Sequence, residues 1–274
     1  QLFGFGGWVT VSSTIGPLMT YADRFMVGTV LTMSAVAYYA TPCDLVTKLG
    51  VIAPGVMSVL FPVLITSITL RQGDFWALHD RATKFILLAL APVVVCALMF
   101  AQLFLGVWLG AEFALNSRWV FQILSVGVLF NSLAVVPFTA IHAAGRADLS
   151  AKAHLVELPL YLFTLWFLVR NFGIEGVAFA WLLRVVLDYV LMFSIARRLF
   201  GGELAAGHGM AAGILLYSVL FLSVAGLLSA IPYPEARIPL GISLAVLAPY
   251  LVWRLILGQD DRTSLRKLCS VIIQ

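Results

Sequence analysis

The sequence predicts an all-α fold, a polytopic helical membrane protein, and three observations lead there. Hydrophobic residues make up 62% of the chain and charged residues 11%, against about 25% charged in a soluble domain. The mean hydropathy is +1.02. Apolar runs of about 20 residues recur along the whole length, as helices crossing a roughly 30 Å hydrocarbon core require, because a helix satisfies its backbone within its own segment. A soluble core is excluded, and a transmembrane barrel nearly so. The formal net charge of +4 has to be read loop by loop in such a chain, and no nucleic-acid partner is implied.

The first span is expected over Phe5 to Val30, kinked at Gly16-Pro17, where proline removes a backbone donor and crowds the preceding turn. Ala35 to Leu70 is a longer apolar stretch carrying Pro42, Pro54 and Pro62. As one continuous helix it would reach about 54 Å and overshoot the bilayer. It is therefore either one long kinked helix or a partial segment, Ala35 to Lys48, leading into a span from Val51 to Leu70, and both cross once. A polar connector is expected at Arg71 to Lys84, then a span from Phe85 to Leu109, a short loop with Glu112 and Arg118, and a span from Trp119 to His142. After a connector at Ala143 to Lys152 come spans at Ala153 to Val169 and Gly176 to Ala196, joined by a tight turn at Arg170 to Glu175. Two more, Met210 to Ile231 and Pro239 to Leu257, precede a tail ending at Gln274. The total is about eight spans by length and hydropathy.

Lysine and arginine orient these spans, since short cytoplasmic loops carry the excess of positive charge. Arg71, Arg81, Lys84, Arg146, Lys152, Arg197, Arg198, Arg254, Arg262, Arg266 and Lys267 fall on one side, and Arg118, Arg170 and Arg237 on the other. The C-terminus is therefore expected in the cytoplasm, and Gln1 on the same side. Trp108, Trp119, Trp166 and Trp181 near outer ends, with Trp8, Trp76 and Trp253 near inner ends, would form interfacial belts.

Charges inside the spans are the functional clue. An ionisable side chain there costs several kcal/mol unless it faces a wet cavity or a partner. Asp44 and Lys48 lie one turn apart, about 15 to 21 Å along their segment, and can pair with each other. Arg184 and Asp188 repeat that spacing, His154 and Glu157 share a face, and Asp23 and Arg24 are adjacent and point about 100° apart. Arg24 is expected to face the cavity. Each pair could instead be a neutralised strut between helices. Charges on four spans at middle depth cost more than packing needs, however, and suggest a shared polar cavity. Arg24, Lys48 and Arg184 would suit an anion, phosphate above all, because guanidinium groups make bidentate charge-assisted hydrogen bonds to phosphate oxygens. Asp23, Asp44, His154, Glu157 and Asp188 would line the cavity or couple it to an ion.

Other features are weaker. Cys43, Cys96 and Cys269 have no metal-ligand spacing and read as packing residues, so neither a metal nor another cofactor is expected. His79 and His142 are expected at span ends, solvated or interfacial. GFGG near Phe3 follows no strand and is not a dinucleotide loop. Pro159, just after Glu157, leaves the Leu155 carbonyl free, which could open a binding site or merely serve packing. The start at Gln1, without methionine or a charged leader, gives no signal peptide and suggests that something upstream is missing.

The segments PLMTYADRFMVGTVLTMSAVAYYATPCDLVTKL, PGVMSVLFPVL and GRADLSAKAHLVELPLYLFTLWFLVRNFGIEGVAFAWLLRVVLD resemble, in order and spacing, the C-terminal half of a bacterial polysaccharide flippase. Such proteins belong to the multidrug/oligosaccharidyl-lipid/polysaccharide exporter superfamily. The resemblance covers roughly Gly4 to Phe200 and implies a second six-helix transporter lobe at residues 1–200, with two additional C-terminal transmembrane helices and a cytoplasmic tail at 201–274. It implies translocation of an undecaprenyl-diphosphate-linked oligosaccharide, such as an O-antigen unit, across the bacterial inner membrane by alternating access. Its partners would be that substrate, membrane lipids and a missing N-terminal lobe of the same protein. The matched charged positions are Asp23, Arg24, Asp44, Lys48, Glu157, Arg184 and Asp188, of which Arg24, Lys48 and Arg184 fall where family members need basic residues for diphosphate and sugars. A cation-coupled drug exporter of the same superfamily is the alternative, with Asp23, Asp44 or Asp188 holding the ion. A membrane enzyme of polysaccharide assembly is a third reading, disfavoured because every connector is too short for a catalytic extramembrane loop.

Overall fold

The computed structural model describes residues 2–70, 75–201, 223 and 234–251, and the described residues form helices without a strand. The helices are α1 (Leu2–Val30), α2 (Met33–Leu49), α3 (Ile52–Leu70), α4 (Phe75–Leu109), α5 (Ala111–Ala143), α6 (Ala147–Phe200) and α7 (Pro234–Leu251). The expected span at Met210 to Ile231 apart from Ser223, the end of the expected Pro239 to Leu257 span with Trp253 and Arg254, and the tail with Arg262, Arg266, Lys267 and Cys269 lie outside the described residues, as do Gln1 and Arg71. Among the described residues, four helical stretches are long and apolar enough to cross a membrane: Met33–Leu60, Phe75–Leu109, Ala111–Ala143 and Ala147–Phe200. The protein is an all-α, multi-pass membrane protein.

The chain divides into two compact units, one made of residues 1–75 and 101–202 and the other of 76–100 and 203–274. In the first, α1 and α2 form an antiparallel hairpin turning at Leu31-Thr32, where the Thr32 hydroxyl caps α2 by accepting from the Ala35 N–H at 3.2 Å. The α2-α3 junction hardly departs from a helix: Gly50 keeps right-handed dihedrals (φ −61, ψ −15), and the Gly50 and Val51 N–H groups reach back three residues to Thr47 and Lys48. Pro54, with no N–H to give the Gly50 carbonyl, accounts for the interruption. Pro17, Pro42 and Pro62 lie inside their helices without ending them.

The connectors are shorter than the sequence suggests. Of the expected polar linker Arg71 to Lys84, residues from Phe75 onward are helical, because Trp76, His79, Asp80, Thr83 and Lys84 recur at helical spacing and are buried. The expected loop with Glu112 and Arg118 is helical too, and the chain turns at Gly110 with φ 95. The Ala143 to Lys152 connector shrinks to Ala144, Gly145 and Arg146, with Gly145 at φ 73.

The 54-residue α6 is two arms folded at Gly173, whose φ of 59 and ψ of −138 are open essentially to glycine. The arms run antiparallel, since His154 meets Asp188 and Tyr161 meets Arg184. Just beyond the fold, Gly176 approaches the Leu168 carbonyl so closely that an added Cβ would stand 2.2 Å from its oxygen. Pro159 does not break the first arm. Within this unit α5 packs against α2, α3 and α6, while α1 packs against α2 and α6.

Two tryptophans expected at interfaces are in the core. Trp181 is buried with its ring across Gly127, and Trp76 is buried with its ring 5.5 Å from His79. Trp108, Trp119 and Trp166 are exposed. Arg118 stands over Trp119 at 4.9 Å, Arg170 over Trp166 at 4.3 Å and Lys152 over Trp8 at 5.3 Å, cation-π pairs of the kind that hold basic groups at helix ends. Of the two histidines expected at span ends, His79 departs from expectation and His142 keeps its place in the last turn of α5. His79 is buried within α4 beside Asp80, 3.4 Å away, and His142 is half-buried with Nε2 2.9 Å from the Ser150 hydroxyl.

Candidate functional site

The charged residues within the spans of the first unit form two clusters joined at α1. The first belongs to the α1-α2 hairpin. Tyr39 lies nearly opposite Asp23 about the Leu31-Thr32 turn and meets it, while Arg24 reaches further along α2 to Asp44. Asp23 is buried and accepts from the Tyr39 hydroxyl at 2.5 Å and from the Arg24 backbone N–H at 2.7 Å. Arg24 points the other way, as adjacent helical residues must, and donates through Nη2 to Asp44. This pair is partly exposed, and Arg24 also stands 5.8 Å from the Tyr21 ring.

The expected pairing of Asp44 with Lys48 is not formed. Arg24 reaches across the hairpin to Asp44 instead, and Lys48 stays exposed one turn further along α2. Likewise Arg184 does not pair with Asp188 along its helix. Asp188 turns across the hairpin to His154, Oδ1 to Nε2 at 3.3 Å, close in space but too poorly aligned for a hydrogen bond at Oδ1.

The second cluster lies between the arms of α6. His154, Glu157 and Tyr161 follow one another at i, i+3 and i+7 and so share a stripe facing Arg184 and Asp188. Glu157 is 1% exposed, and neither of its carboxylate oxygens has a hydrogen-bond partner. The Tyr161 hydroxyl and Arg184 Nε are also buried without one. Arg184 is half-buried, reaches Met19 Sδ through Nη1 at 3.9 Å and stands over the Tyr161 ring at 5.5 Å. No carboxylate forms an ion pair with it among the described residues. A cavity of about 50 Å³ opens here, bounded by Glu157, Tyr161, Thr164, Leu183, Arg184 and Leu187. That is room for an ion or a few waters, since one water needs roughly 10–15 Å³ by this measure.

Met19 joins the clusters. It is buried one helical turn before Asp23 on α1, and its sulfur is the atom that Arg184 touches. Arg24 and Lys48 do not line the Arg184 cavity. Tyr39, Tyr161 and Met19 were not singled out from sequence. Tyr161 had a signal, falling one turn beyond Glu157 on the same stripe. Tyr39 was discoverable only once the hairpin turn was located at Thr32.

Buried acids and arginines on facing helices, some still unsatisfied, can hold a charged solute or an ion. Residues 1–118 match the sequence model of a family described as polysaccharide biosynthesis protein. The chain is also 37% identical over 195 residues to a Shigella flexneri protein named "Putative O-antigen transporter", a match covering 70% of this chain and 46% of that one. Over these stretches the chain is similar to the polysaccharide biosynthesis protein family. A second member of the comparison, an uncharacterized membrane protein of Methanocaldococcus jannaschii, is 24% identical over 197 residues, covering 70% of this chain and 38% of its own length. The chain thus spans less than half the length of these curated relatives. That similarity agrees with the apolar, helical architecture of the described residues and with the resemblance carried by the Asp23-Arg24 segment.

Proposed function

We propose that this chain forms part of a transporter that moves a lipid-linked oligosaccharide across the bacterial inner membrane for polysaccharide biosynthesis. The observation that carries this reading is Arg184, a half-buried guanidinium at a small cavity with no carboxylate partner among the described residues. An arginine in apolar surroundings that no carboxylate contacts can take up an anion, and its planar fork matches a diphosphate. Arg24 and Lys48, on the exposed side of the α1-α2 hairpin, would extend the positive surface along which headgroup and sugars pass. The role is binding and passage rather than bond chemistry, and a second lobe would complete the path. In this scheme residues 1–200 act as one lobe, 201–274 add two helices and the tail, and the C-terminus lies in the cytoplasm.

The test is replacement of Arg184 with alanine and with lysine in the full-length protein of the native strain, reading surface polysaccharide against the amount of protein in the membrane. R184A should abolish polysaccharide at normal protein levels, and R184K should retain part of it. Normal polysaccharide in R184A would overturn the reading. A cation-coupled exporter is the second reading, favoured by the unsatisfied Glu157 carboxylate. It expects raised drug susceptibility and intact polysaccharide in a deletion strain.

A further inference from the structure

We propose that His154, Glu157 and Asp188 form a binding site for a borderline divalent cation of the Zn²⁺ type, clamped between the two arms of α6. One donor atom from each of the three lies within 4.8 Å of the others. Two come from one helical turn, His154 and Glu157 at i and i+3, and the third from the facing arm, so the hairpin itself gathers the set.

The independent sign of a ligand is Glu157. Its carboxylate is 1% exposed, and both oxygens lack any hydrogen-bond partner. A buried carboxylate left in that condition loses its hydration without compensation, so some group must answer it. Arg184 borders the same cavity but forms no ion pair with Glu157. Asp188 Oδ1 is likewise buried without a hydrogen bond, even 3.3 Å from His154 Nε2. A cation between the three would satisfy these oxygens together.

The donor set selects the class of ion. Na⁺, Mg²⁺ and Ca²⁺ prefer all-oxygen surroundings, whereas one imidazole nitrogen with two carboxylates suits Zn²⁺ and its first-row neighbours. Donors on a Zn²⁺-like ion at about 2.0–2.2 Å must be closer together than 4.8 Å. The Glu157 side chain can rotate inward without giving up a hydrogen bond, because it holds none. Phe138 lies nearly parallel to the His154 ring, 6.1 Å away and tilted 21°, which helps to fix the imidazole plane. Three protein ligands leave a position open for water.

The experiment uses the full-length chain purified in detergent, stripped with chelator and titrated with Co²⁺ as the visible probe, then with Zn²⁺ in competition. One equivalent of Co²⁺ per chain should give a saturating absorption band that Zn²⁺ displaces and excess Na⁺ does not. E157Q, H154Q and D188N should each weaken binding by more than about tenfold, the scale on which even indirect partners of a metal act. E112Q, at an exposed acid outside the cluster, should bind as the parent does. Elution on size exclusion identifies any variant that fails to fold, and the remaining variants then carry the test. A parent protein that gives no saturating band, a band that Na⁺ removes, or a band unchanged in the folded variants would overturn the proposal. The measurement needs no transport, so its failure leaves the polysaccharide reading standing.

Discussion

Trp181 lies across Gly127 so tightly that a Cβ added at position 127 would stand 2.2 Å from Cζ3 of the indole and 2.7 Å from Cε3. Small residues allow helices to approach in this way inside a membrane, where packing rather than water drives association. The contact fixes the second arm of α6, which carries Arg184 and Asp188, against α5. G127A should therefore destabilise the protein by about 1–3 kcal/mol, the usual cost of overpacking. Thermal unfolding in detergent measures it, and W181F, which trims the ring, should restore part of the loss in the double variant.

Tyr39 and Asp23 make a buried pair at 2.5 Å. Y39F removes the donor and leaves an acid inside the helix bundle with only the Arg24 N–H, at an expected cost of about 1–3 kcal/mol. D23N, which keeps the shape and removes the charge, should cost less. Equal unfolding temperatures for Y39F and the parent would contradict the bond.

The Arg24-Asp44 pair is partly exposed and should add little to stability, about 1 kcal/mol or less. Its expected effect is on transport. R24A should lower surface polysaccharide while leaving the unfolding temperature nearly unchanged, whereas a strut would show the reverse. The charge swap R24D/D44R would restore a strut but not a basic group at position 24.

Gly173 has a backbone conformation that side chains resist, so G173A should cost about 1–3 kcal/mol. G176A should be worse, since the obstacle there is the Leu168 carbonyl rather than a side chain that can rotate away. Detergent unfolding of the two variants side by side gives the order, and G173A the more damaging would overturn it.

The helical class was legible because it rests on composition and run length, which tertiary contacts do not alter. Span ends were legible to within a few residues at Val30 and Leu109, where α1 and α4 stop. Other helix ends were misplaced wherever polar residues continue a helix, as from Phe75 to Lys84, since polarity marks depth in the membrane and not secondary structure. Within the site, i and i+4 spacing identified residues on one face but not their partners. Asp44 and Asp188 both pair across a hairpin, with Arg24 and His154, and that choice depends on where the chain turns. Trp181 was placed at an interface because an indole is common there. What put it in the core is Gly127, some fifty positions earlier and unremarkable by itself.

Among the described residues, Arg24 meets Asp44 across the turn at Leu31-Thr32, and His154 meets Asp188 across the fold at Gly173. During biosynthesis neighbouring helices leave the translocation machinery one after the other, and a lone charged side chain at the centre of a span is penalised by about 2.5–3.5 kcal/mol on insertion scales. With its companion on the very next segment, that penalty lasts only until the following twenty or so residues emerge. The nascent polypeptide can thus carry acids and bases into lipid two helices at a time, well before the rest of the bundle exists to shelter them.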